Sequence, residues 1–145
     1  MKLTLFSDYS LRILMFAALR DDLRFSIEDV AGAYGVSRHH MAKAVNFLTQ
    51  NGYLQTQRGR GGGICLGQAA KDICIGQVVR QTEKGFPLVE CFDDATNTCP
   101  LVHACILKQA LGQAWTAFFS VLDRYTLADL VRKPSPLRQA LKLNA

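Results

Sequence analysis

Three cysteines, Cys91, Cys99 and Cys105, fall within one short stretch, CFDDATNTCPLVHAC, beside His103, Asp93 and Asp94. Thiols at this density can hold a metal, pair as a disulfide, or act as a redox switch. A metal site ordinarily takes four protein ligands and a disulfide takes two, so three cysteines leave either a ligand missing or a thiol spare. The chain carries 5 cysteines, an odd number that forbids complete internal pairing. Compartment bears on the choice. The N-terminus, MKLTLFSDYS, does not read as a signal peptide, because Ser7 and Asp8 interrupt its apolar core. The longest clean apolar run, Ile13 to Leu19, is too short to span a bilayer. A cytoplasmic protein with no membrane partner is expected, and clustered cysteines in a reducing cytosol more often bind metal or do redox chemistry than form stable disulfides.

These residues need elements to hold them. At 145 residues, 49% hydrophobic and 20% charged, the chain can build an ordinary globular core. Ser7 or Asp8 can cap a first helix to about Leu19, with Leu11, Leu14, Met15, Ala18 and Leu19 inward. Ser26, with Asp29 three residues on, opens a helix over Ile27 to Tyr34. Gly35 ends it, and Ser37 can cap the next, which Gly52 stops just after Asn51. Two helices joined by so short a turn form a helix-turn-helix. Tyr53 to Gln57 and Ile64 to Leu66 suit two strands around a glycine-rich tip, RGRGGG, which makes a winged helix. A helix over Ile75 to Thr82 follows, then Gly85 and Pro87 ahead of the cysteines. A long helix is expected from Leu101 to about Arg124. Its stripe of Leu107, Leu111, Ala114, Phe118 and Val121 is widened by Ile106, Ala110, Trp115, Ala117 and Phe119. A helix apolar over so much of its girth needs two partners, one plausibly a second copy of the chain. Cys74, between Ile73 and Ile75, reads as a small core residue. The expected fold is mainly α with a small β wing: a winged helix-turn-helix plus a long C-terminal dimerisation helix. Its parts are a DNA-binding unit over 1–84, a cysteine loop over 85–106, and a dimerisation helix with tail over 101–145.

The net charge is +5, and between Asp29 and Asp72 there is no acid at all. That stretch holds Arg38, Lys43, Arg58, Arg60 and Lys71, a distribution that suits a phosphate backbone. In a helix-turn-helix the start of the second helix meets base edges. Here it presents Arg38, His39 and His40, then Lys43 and Asn46 further along. Adjacent histidines on a helix point about 100° apart, so the pair reads as DNA-facing donors rather than as one metal site. Arg58 and Arg60 on a thin glycine loop suit the minor groove. RGRGGG lacks the Gly-Lys-Ser/Thr ending of a nucleotide phosphate loop and leads into a strand, which excludes that reading.

The segments LTLFSDYSLRIL, VSRHHMAKAV, RGRGGG and IGQVVRQTE, in this order, resemble the NsrR and IscR family of winged-helix repressors. LVECF and YTLADL resemble the NsrR branch more closely. The resemblance covers nearly the whole chain. It implies a homodimeric repressor on a palindromic double-stranded operator, with an iron–sulfur cluster in the cysteine loop and nitric oxide as signal. By position the cluster cysteines are Cys91, Cys99 and Cys105; [4Fe–4S] is favoured, with [2Fe–2S] open. Spacings of seven and five intervening residues suit a loop around thiolate-bound iron better than a zinc knuckle with its Cys-x2-Cys pair. The fourth ligand implied by the NsrR branch is an aspartate near the start of the first helix, donated by the other subunit, and Asp8 in FSDYS stands there. Asp8 could equally complement the helix N-terminus. At the position of the IscR branch's histidine ligand this chain has Lys108.

Other readings of the cysteines stay open. A metal-free thiol switch, with Cys91 and Cys99 oxidising to a disulfide, keeps the same DNA-binding fold. Structural zinc would need His103 beside Cys105, which points away if both are helical. A cysteine nucleophile lacks a marked base and a cleft, so the chain is not read as an enzyme. Cys65, in the return strand, and Cys74 receive no cluster role.

Overall fold

The apolar face of the first helix organises the fold. In the computed structural model, which describes residues 2–21, 23–84 and 88–143, α1 spans Leu5–Ala18. Ile13, Leu14, Phe16 and Ala17 are buried on it, with Leu19 just beyond. Leu11, Met15 and Ala18, expected inward with Leu14, are half-buried flanks instead, because α1 is packed from more than one side. Its cap also differs from expectation. Thr4, with extended backbone, accepts the Ser7 N–H (3.2 Å), while Ser7 is fully buried and Asp8 lies in the first turn.

Helix α2 (Ile27–Tyr34) begins at the expected capping box, Ser26 with Asp29, and ends at Gly35, whose φ of 62° is left-handed. Helix α3 (Arg38–Gln50) follows, packed on α1 and α2 through Met41, Ala44, Val45 and Leu48. The antiparallel wing pairs β1 (Leu54–Gln57) with β2 (Gly63–Leu66), and Phe25 bridges to Ile64 as a short third edge. Tyr53, expected inside the first strand, precedes it and is buried. Helix α4 spans Ile75–Thr82 as anticipated.

Gly85 and Pro87 lie outside the described residues. Helix α5 spans Ile106–Leu122, shorter at both ends than the Leu101 to Arg124 expected. Residues 101–104 form turns, and the extended backbone of Cys105 sets the start. Only Phe119 of this helix is buried; Ile106 is 79% exposed and Leu107 65% exposed. Two further helices follow among the described residues. A Thr126–Asp129 capping box opens α6 (Leu127–Leu130), whose Leu127 is fully buried in the main core. Helix α7 (Pro134–Ala140) returns to α1, where the Arg138 Nε–H donates to the Leu19 carbonyl (2.9 Å). The tail is thereby tied to the helix-turn-helix half. Cys74 bridges to Thr126 in extended conformation, so alternation buries Ile73 and Ile75 and turns Cys74 to the other side. It is half-buried, not the core residue expected, and its thiol faces the Asp123 carbonyl (3.8 Å).

Candidate nucleic-acid interface and thiol loop

Helical periodicity sorts α3 into two faces. While Met41, Ala44, Val45 and Leu48 face the core, Arg38, His39, His40, Lys43 and Asn46 are exposed. The sequence-predicted groove-facing set therefore shares one accessible side of the helix. Ser37, at the cap position, makes no side-chain hydrogen bond there. Arg38 is ion-paired through its Nε to Glu28 of α2, and that hydrogen bond holds the Glu28 carboxyl below the usual carboxylate range. Lys43 Nζ lies 5.7 Å from the Phe6 ring centroid, and the His40 ring stacks on Tyr9 (5.9 Å, 27°). His39 meets His40 edge to face at 6.0 Å. In the wing, Arg58 and Arg60 are both exposed, and β1 turns Gln55, Thr56 and Gln57 to solvent. Cys65 is buried opposite Gln55, whose amide donates to its sulfur (3.3 Å).

Phe6 and Tyr9, which touch α3, flank Asp8. Asp8 is half-exposed and ion-paired to Arg12 one turn on (Oδ2–Nη2 2.7 Å), with Arg12 Nε also donating to Oδ1 (3.0 Å). The Arg12 guanidinium lies 5.9 Å from the Tyr9 ring centroid and 5.6 Å from that of Tyr34. Burial pushes the Tyr34 phenol up, and its hydroxyl donates to the Arg12 carbonyl (3.1 Å). The start of α1 is anchored from the far end of α4. Glu83 Oε1 accepts from the Thr4 N–H (2.8 Å) and hydroxyl (2.9 Å), and Ser7 shares hydrogen bonds with Glu83 and Thr82. The segment that carries Asp8 and the strand of chain entering the cysteine loop are thus joined within one subunit. Sequence reasoning missed Arg12, Glu28 and Glu83. The i,i+4 spacing of Asp8 and Arg12 was a readable signal; the partners of Glu28 and Glu83 lie too far along the chain to leave one.

The thiol loop is shaped by its own polar groups. Glu90 Oε1 accepts from the Thr98 N–H (2.5 Å) and hydroxyl (2.7 Å), which holds the Glu90 carboxyl below its usual range. Asn97 accepts the Cys99 N–H (3.1 Å). Cys91 lies in a 3-10 turn over Glu90–Phe92, and Cys105 caps α5, its sulfur accepting the Lys108 N–H (3.4 Å). All three thiols are unpaired and half-buried. This donor set fits thiolate-ligated iron: three free sulfurs on one loop, one of them at a helix N-terminus where thiolate is favoured. Yet no group of three or more His, Cys, Asp or Glu side chains among the described residues converges to hold a metal within a single chain. Neither Asp8 nor His103 completes the set in this subunit.

A helix-turn-helix with an arginine-tipped wing and a solvent-facing second helix defines a winged-helix regulator. The chain belongs to the Rrf2 family, described as iron-dependent transcriptional regulators, which it matches over residues 3–133. It is 47% identical over 144 residues to the HTH-type transcriptional regulator NsrR of Bacillus subtilis (strain 168), covering 99% of each chain. To the regulator of the same name from Geobacillus kaustophilus it is 46% identical over 143 residues, covering 98% of this chain and 97% of that one. Among solved structures it is similar in fold to T. potens IscR (TM-score 0.76, 19% identity, 95% of this chain and 91% of that one). It is also similar to CymR, the global cysteine regulator of B. subtilis (TM-score 0.74, 25% identity, 91% and 97%). Among the described residues no helix is long and apolar enough to cross a membrane.

Proposed function

We propose that this Rrf2 chain is a homodimeric, cytoplasmic transcriptional repressor that senses nitric oxide through an iron–sulfur cluster held by Cys91, Cys99 and Cys105. Asp8 of the partner subunit is the fourth ligand. The observation that carries this reading is the thiol loop itself: three free, half-buried cysteines on one stretch, the last of them at the N-terminus of α5. Near full-length similarity to two regulators named NsrR supports it. The uncovered apolar start of α5, immediately after Cys105, supports a second copy packed there.

When bound, the cluster would supply iron that reacts with nitric oxide, and a carboxylate-ligated iron is its weakest-held corner. This chain's residues do the rest. Asp8 is followed directly by Tyr9, which stacks on His40 of α3, so a change of partner at Asp8 lies one residue from the DNA-reading helix. Arg38, His39, His40, Lys43 and Asn46 would enter successive major grooves of a palindromic operator, roughly one DNA turn apart, with Arg58 and Arg60 in the flanking minor groove. Loss of the cross-subunit tether would release that spacing and the operator.

The test is visible absorbance of anaerobically purified protein before and after nitric oxide, with iron and sulfide assays. Broad charge-transfer bands that bleach or shift are expected, and their shape separates [4Fe–4S] from [2Fe–2S]. Colourless, iron-free protein even after anaerobic reconstitution would transfer the sensing role to a metal-free thiol switch on the same fold.

A further inference from the structure

Of the cations predicted to face DNA, Arg38 alone forms an ion pair among the described residues, and its partner is Glu28. Glu28 and its neighbour Asp29 are the last acids before the long basic stretch, and Asp29 is occupied by the Ser26 capping box. Glu28 sits in the first turn of α2, so a fixed backbone delivers its carboxylate to the first residue of α3. The contact is made through Nε, and among the described residues neither Nη group of Arg38 forms a hydrogen bond. A guanidinium gripped at its Nε edge still offers its two Nη donors end-on, which can meet the O6 and N7 acceptors of one guanine.

Resting on the DNA-reading role proposed above, we infer that Glu28 is a specificity-determining residue: it buttresses Arg38 so that its Nη edge reads guanine in the major groove. Two physical effects act together. The carboxylate removes rotamer freedom that an unsupported arginine would lose on binding. It also places a negative charge beside the phosphate backbone, which disfavours complexes in which Arg38 gains no base contact. Glu28 thereby weakens sequence-independent binding while preserving the specific contact. A lone surface ion pair contributes little to folding, so its removal should leave the fold intact.

The test starts from the duplex that anaerobically purified wild-type protein selects out of a random-sequence pool. Each base pair is then replaced in turn and binding is followed by fluorescence anisotropy at fixed salt. In wild type, one guanine in each half-site should show a loss of roughly fivefold to a hundredfold on replacement, as expected of a bidentate contact. Arg38→Ala should flatten that position. Glu28→Gln should shrink its discrimination severalfold, tighten binding to a mixed-sequence duplex, and leave the melting temperature unchanged. In an Arg38→Ala background, Glu28→Gln should restore no base preference and reduce none. Full discrimination retained by Glu28→Gln while Arg38→Ala is flat would overturn the buttress alone. Full discrimination retained by Arg38→Ala would overturn Arg38 as a base reader, and the buttress with it.

Discussion

Asp8 and Arg12 form an ion pair across one turn of α1, 2.7 Å from Oδ2 to Nη2, with the guanidinium set close to the rings of Tyr9 and Tyr34. Both partners are 39% exposed, so the pair stabilises the helix by less than about 1 kcal/mol. A carboxylate in so light an engagement is free to take another partner. Asp8→Ala should therefore leave the urea midpoint nearly unchanged. It should alter the rate at which nitric oxide bleaches the visible bands of anaerobic protein, read by stopped-flow absorbance. Identical bleaching in wild type and variant would remove Asp8 from the ligand set.

The two helices that flank the thiol loop meet at Gly76. A Cβ there would lie 2.0 Å from Asp123 Oδ1 and 3.0 Å from the Asp123 backbone nitrogen. Asp123 cannot easily retreat, because Arg80 grips it with two hydrogen bonds (2.6 and 2.7 Å) while lying 4.3 Å from the Phe119 ring centroid. Gly76→Ala should destabilise the protein by about 1–3 kcal/mol through overpacking, measured by urea unfolding. A change within experimental error would mean that α4 and α5 do not approach this closely.

Leu107 is 65% exposed in the single chain and lies two residues beyond Cys105. If a second copy covers this face, Leu107→Glu should shift sedimentation from dimer toward monomer without loss of helical circular dichroism, since the residue contributes little to the subunit core. An unchanged dimer would place the interface elsewhere.

Acid should weaken the cap that opens α6. The Asp129 carboxyl is held down to about 2 by the Thr126 N–H first, then the Thr126 hydroxyl and Arg132. Its pKa is lowered on folding, so its contribution is fully present above the ordinary carboxylate range and fades as pH falls from about 4 toward 2. Thr126→Ala should lower stability at neutral pH and flatten the pH dependence over that window, followed by thermal melts at stepped pH. An unaltered slope would count against this capping box as its source.

The wing arginines and Arg38 should separate by their salt and sequence dependence. Arg58→Ala and Arg60→Ala should each reduce the slope of log K against log salt by about 1, and weaken binding similarly on all duplexes. A loss confined to particular base pairs would assign them to base reading instead.

Much of the helix-turn-helix half was legible from local chemistry. Ser26 with Asp29, Gly35, and the alternation of apolar and polar residues after Ser37 each act within a few residues, so α2, the turn and the exposed face of α3 follow from short-range rules. The same rules misjudged the start of α1. Ser7 has a capping side chain, but its hydroxyl is taken up by Thr82 and Glu83, and Thr4 caps instead. Cys74 went astray for a similar reason: its apolar neighbours alternate in an extended segment, which turns it away from the core.

The sequence by itself determined the winged helix-turn-helix, the exposed basic face of α3 and the loop of three thiols, because caps, turns and periodicity are written in neighbouring residues. Only the tertiary structure decided which charged groups meet. Glu83 reaches the start of α1 from across the core, Glu28 reaches Arg38 across the turn, and Arg138 returns from the tail to the end of α1. Such contacts depend on how packed helices bring distant residues together. That geometry is set by the whole buried core and by no local stretch of the chain.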